Sequence, residues 1–113
     1  MTDWDEAVAY ALTLPGTYIE SYYGHPVPKV NKKAILAAGH EAGSFCLFVA
    51  KPEKEVLLET DPDTFWQTDH YRNYPAILVR FGGGARERIE TYIQRAWWDR
   101  ATREARKDFG DRP

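Results

Sequence analysis

Several features that would quickly decide a function are missing from this sequence. There is one cysteine, Cys46, in 113 residues. No internal disulfide can form, and a reducing, cytoplasmic setting is the expectation. No apolar run approaches the length of a membrane span and no apolar leader opens the chain, so no membrane partner is expected. A basic excess is also absent: 15 Lys and Arg stand against 17 Asp and Glu, a formal net charge of −2. A protein that coats nucleic acid indiscriminately needs the opposite balance, although this does not exclude a local basic patch. Repeats, linkers and low-complexity tracts are lacking. The length suits a single domain, 1–113, able to bury a core without metal or disulfide help.

Complete chemical motifs are lacking as well. His25, His40 and His70 lie far apart, with no helical H-x-x-x-H pair, so no metal and no cofactor are expected. Asp61, Asp63 and Asp69 miss the spacing of a calcium loop. Gly82-Gly83-Gly84-Ala85-Arg86 lacks the Lys-Ser/Thr pair that grips phosphate and reads as a joint. Cys46 sits in an apolar strand, where a thiol is usually inert. Asp69 and His70 are chain neighbours, which rarely face one another. With no motif complete, the chain is expected not to be an enzyme.

Aromatic residues are plentiful. Four Trp, seven Tyr and five Phe exceed what one small core requires, so some rings belong at the surface or along a groove. The densest stretch is His70-Tyr71-Arg72-Asn73-Tyr74-Pro75, which crowds polar and aromatic groups at the mouth of the apolar strand 76–81. Such a loop is typically held rigid and presented outward.

Around it, the pattern predicts an α+β fold. Asp3 and Glu6 mark the start of a helix whose Trp4, Val8, Ala11 and Leu12 share a face; Pro15-Gly16 ends it. Tyr18 to Tyr23 is β-prone. Residues 27–30, 33–38 and 44–50 read as a three-strand antiparallel meander, with 27–30 at an edge because Pro28 cannot donate to a ladder. Pro52 opens a second helix, and Asp61-Pro62-Asp63 a helical turn with Asp61 as its cap. In the last helix Ile89, Tyr92, Ile93, Ala96 and Trp97 recur at the spacing of a buried face, leaving Trp98 to one side. Residues 107–113 are expected to fray. The expected architecture is two-layered: an antiparallel sheet of four to five strands with helices packed on it.

Two candidate sites follow. Lys29, Lys32 and Lys33 at one turn, with His70, Tyr71, Arg72 and Tyr74 from the presented loop, form a charge–aromatic set suited to phosphates and bases of double-stranded DNA. Alternatively, Tyr22, Tyr23, Trp66, Tyr71, Tyr74 and Trp98 are the rings that could line a groove for a small aromatic ligand. Trp98 and the arginine line beside it could instead serve a protein partner, so both a monomer and a homodimer are consistent with the pattern.

Two segments resemble a known family. Ser21-Tyr22-Tyr23-Gly24-His25-Pro26-Val27-Pro28-Lys29-Val30 is similar to the tyrosine-glycine-x-proline-x-x-lysine-valine segment of the MmcQ/YjbR-like proteins. Thr68-Asp69-His70-Tyr71-Arg72-Asn73-Tyr74-Pro75-Ala76-Ile77-Leu78-Val79 resembles that family's threonine-x-histidine-tyrosine-arginine-glycine-tyrosine-proline run, with Asn73 replacing glycine. Asp61-Pro62-Asp63-Thr64-Phe65 and Ala96-Trp97 also match. The resemblance implies a small fold of the CyaY-like or secretion-chaperone-like type and a DNA-binding or DNA-associated regulatory role. It points to Lys29, His70, Tyr71, Arg72, Tyr74 and Pro75. Because some family members accompany antibiotic-biosynthesis genes, it also implies drug binding or self-resistance as an alternative. After Trp97 the chain departs from the family's short basic ending.

Overall fold

A computed structural model describes residues 1–113. The architecture is α+β, with four helices packed on two antiparallel sheets. The first helix, α1 (Trp4–Ala11), is capped by Asp3, whose carboxylate accepts from the Glu6 N–H. Glu6 does not reach back to the cap residue itself. It accepts from the N–H and hydroxyl of Thr2 and pairs with Arg86 of the last long helix, α3 (Arg86–Arg100). The Thr2 donors, helped by Arg86, hold the Glu6 carboxyl at about 2, well below its ordinary value near 4.5. A depressed carboxyl stabilises the fold above its unfolded pKa, and that contribution is lost as pH falls from about 4.5 towards 2. Glu6→Gln is therefore expected to flatten the acid limb of stability, measured as the denaturant midpoint between pH 6 and 2.

Strands β1 (Tyr18–Tyr22) and β2 (His25–Val30) form a hairpin, and β3 (Lys33–Ala34) extends it into a three-stranded sheet. Both connections are two-residue turns at positive φ, Tyr23-Gly24 and Asn31-Lys32, as the right-handed twist of paired strands requires. Strand β2 is central, not an edge as Pro28 suggests. The Pro28 carbonyl accepts from Ile35 N–H, and a residue's N–H and C=O point to the same neighbour. The missing donor thus faces the short β3 side and costs β1 nothing.

The expected meander is divided between two sheets. Residues 33–38 split into β3 and β4 (Leu36–Ala37) at Ile35, which is fully buried. Ile35 donates to Pro28 on one side and accepts from Phe48 N–H on the other, so one bent strand serves both sheets. The second sheet has the order β4, β5 (Ser44–Phe48), β7 (Ala76–Arg80), β6 (Phe65–Trp66). Between them, α2 (Lys51–Thr60) begins with Pro52 in its first turn. Asp61 caps the C-terminal end of α2, and its carbonyl receives the Thr64 and Phe65 N–H groups, closing the expected single helical turn.

Alternation along β5 and β7 gives the second sheet two different faces. Phe45, Leu47, Ile77 and Val79 join Ile89, Ile93 and Trp97 of α3 in the main core. Cys46, Ala76 and Leu78 point the other way, into a second apolar cluster centred on Tyr71. No helix in the fold is long and apolar enough to cross a membrane.

A last short helix reaches into the tail that was expected to fray. Helix α4 (Arg103–Phe109) is capped by Thr102. It lays Phe109 against Trp97 and Trp98, at ring separations of 5.1 and 6.3 Å. Arg95 donates to the Pro113 carbonyl, and Arg112 bridges Glu53 and Asp99.

Candidate functional site

The sheet face turned away from the helices carries a cleft of about 700 Å³. Its floor is apolar: Ala37, Cys46, Phe48 and Ala76 from β4, β5 and β7. One wall is the far end of the β1–β2 hairpin, with Tyr22, Tyr23, His25 and Val27. The opposite wall is the loop before β7, with His70, Tyr71, Tyr74 and Pro75, joined by His40 from the turn before β5. Segments more than 40 positions apart thus face each other across one concavity, because antiparallel pairing of β5 with both β4 and β7 brings their ends together.

The rings interlock on each side. Tyr22 meets Tyr23 edge-on at 4.7 Å and Phe48 at 5.8 Å. Across the cleft, His70 contacts Tyr71 at 5.0 Å, His40 at 5.7 Å and Tyr74 at 5.8 Å. Tyr71 is buried and anchors the loop, while Tyr74 is 56 % and Tyr23 89 % exposed. Tyr23 has φ of 50°. A bulky residue in the left-handed region is a strained choice, and here it sets an exposed ring on the rim.

The loop is held by a residue with no signal in the sequence pattern. Lys54, on α2, is only 4 % exposed. Its ammonium donates to the carbonyls of Tyr71 at 2.7 Å and Tyr74 at 3.0 Å, with Arg72 O more distant at 3.4 Å. It makes these bonds without a carboxylate partner, and desolvation lowers its pKa. Burial pushes the Cys46 thiol up to about 12, opposed only by the Lys54 charge. Cys46 is thus a protonated, apolar floor residue at neutral pH.

Several expected site residues stand elsewhere. The Lys29 side chain is largely buried, donating to Glu20 at 3.0 Å and to Ser21 O at 2.8 Å. Arg72 pairs with Asp69 at 2.5 Å. Lys32 and Lys33 are exposed. Neither of the tryptophans assigned to a groove lines the cleft. The Trp66 indole donates to Ser44 Oγ and lies under Arg80 at 4.8 Å; Trp98 is covered by Phe109 and by Arg106 at 5.2 Å. Conversely, the three histidines that look unrelated along the chain all line this cleft. They converge without forming a metal-ligand cluster, and no group of three or more His, Cys, Asp or Glu side chains in the fold could hold an ion.

Similarity to known proteins is low but extends over the full domain. The uncharacterized protein Rv2570 of Mycobacterium tuberculosis is 24% identical over 124 residues, spanning 96% of this chain and 96% of its own. The uncharacterized protein Mb2600 of Mycobacterium bovis gives the same values. No protein-family model matches the chain, and no solved structure does.

Proposed function

We propose that this protein binds a planar aromatic small molecule and holds it without transforming it, in the manner of a carrier or protective protein. One observation carries the reading: the two segments that resemble the MmcQ/YjbR-like proteins, 21–30 and 68–79, supply facing walls of the same cleft. An apolar floor under two aromatic walls suits a flat ring system. The volume of about 700 Å³ lies within the usual range for small-molecule sites. Membership of that family, with the Asn73 departure, is part of the same proposal. DNA association is the second reading. Its specific support is Lys32 and Lys33, exposed neighbours where the β2–β3 turn enters β3, which make no ion pair.

No tryptophan lines the cleft, so binding is best read by calorimetry or from the ligand's own fluorescence. An environment-sensitive aryl dye should bind wild-type protein with little dependence on salt. Tyr74→Ala should weaken that binding by up to about tenfold through loss of one ring contact. Its effect on stability should stay within about 0.5 kcal/mol, as for other exposed positions. Duplex DNA is titrated in parallel. Absence of dye binding, together with DNA affinity falling steeply as salt rises, would replace the first reading with the second.

A further inference from the structure

The charges behind the cleft are unevenly distributed, and this bears on which aromatic ligand it accepts. No carboxylate lines the cleft; its only ionisable side chains are imidazoles, phenols and one buried thiol. Each wall is backed by a cation. The Lys54 ammonium lies behind Tyr71 and Tyr74, bonded to their carbonyls. The Arg100 guanidinium lies over the Phe48 ring at 5.8 Å, and the Lys29 ammonium over Tyr22 at 6.0 Å. A cation on the outer face of a ring draws its π-density outward, so the inner face becomes a poorer seat for a second cation.

Carboxylates near the cleft cancel part of this pattern but leave Lys54 and Arg100 without a carboxylate partner. Glu20 pairs with Lys29 and removes that cation from the balance, while Asp69 is engaged with Arg72 and Asp99 with Arg112. Glu41 makes no ion pair and lies close enough to Tyr71 to help hold that phenol protonated. Lys54 itself has only carbonyl partners, and its field reaches the floor, where it acts on the Cys46 thiol. An uncompensated buried charge acts over several ångströms with little screening.

Building on the aromatic-ligand reading, we infer that the cleft selects a planar aromatic anion, of the carboxylate or phenolate class, over the neutral and cationic forms of the same ring. The selectivity comes from the cations behind the rings, while the rings themselves supply shape and contact.

The test uses three matched probes, naphthoate, naphthamide and naphthylmethylammonium, titrated calorimetrically into the full chain at neutral pH. Naphthoate should bind about tenfold more tightly than the ammonium, with the amide between them. Lys54→Met should narrow that gap. Arg100→Met, which leaves the Lys54 bonds to the Tyr71 and Tyr74 carbonyls in place, should narrow it as well and decides the matter where Lys54→Met does not fold. Equal affinity for all three probes, or tightest binding of the ammonium, overturns anion selection and leaves the aromatic-ligand reading in place. A gap unchanged in every variant that folds overturns the assignment to these cations. Failure of all three probes to bind the wild type removes both.

Discussion

Lys54→Met is expected to cost about 2–3 kcal/mol of stability, a large effect for a residue that pattern alone places on a solvated helix. The methionine keeps most of the buried stem but takes from the carbonyls of Tyr71 and Tyr74 the charged donor that each accepts beside a backbone N–H. Hydrogen bonds from a charged group contribute roughly 1.5–3 kcal/mol. The loss should be local as well as global. Tyr71 N–H bonds to Thr68 O, Tyr74 N–H to Tyr71 O, and Ala76 N–H to Tyr74 O. Hydrogen exchange at these amides should speed up in the variant, while Leu78 and Val79 in β7 keep their protection. Uniform acceleration of exchange across β7 would show that Lys54 supports the whole sheet and not the loop in particular.

Trp97→Ala is expected to be more damaging, by about 3–5 kcal/mol, the range for deleting a large buried aromatic. Trp97 is fully buried among the helices and the second sheet. Its indole N–H donates to Pro15 O at 2.8 Å, which ties the end of α1 to α3. Its ring also carries Phe109 of α4. Alanine would open a cavity, orphan a carbonyl and leave α4 without its main contact. Trp97→Phe should recover most of the packing but not the hydrogen bond. Denaturant unfolding of the two variants separates these contributions, and an alanine variant within about 1 kcal/mol of wild type would contradict this account.

The parts of the fold legible in the sequence are those governed by local rules. The Asp3 cap follows from side-chain geometry within one turn. The Ile89, Tyr92, Ile93, Ala96 and Trp97 stripe is buried as its spacing predicts. The loop at 70–75 stands before a strong strand, with Tyr71 turned inward and Tyr74 outward. What stayed hidden depends on tertiary pairing. Lys54 looks like any charged helix residue until α2 is docked against the loop. Residues 33–38 look like one strand because nothing in their hydrophobicity marks Ile35 as the place where two sheets divide. The convergence of His25, His40 and His70 depends on strand order, which period-two alternation does not encode. Phe109 sits in a charged tail, and only the uncovered side of Trp97 and Trp98 explains why it folds back.

Ile35 has a mechanical consequence. The hairpin wall of the cleft belongs to the first sheet and the floor to the second, and the bent strand is where backbone bonds join them. Cleft width is therefore tied to the angle the two sheets make at that residue. An occupant touching both sheets would brace this angle, so filling the cleft should stiffen the protein across its middle as well as at the rim.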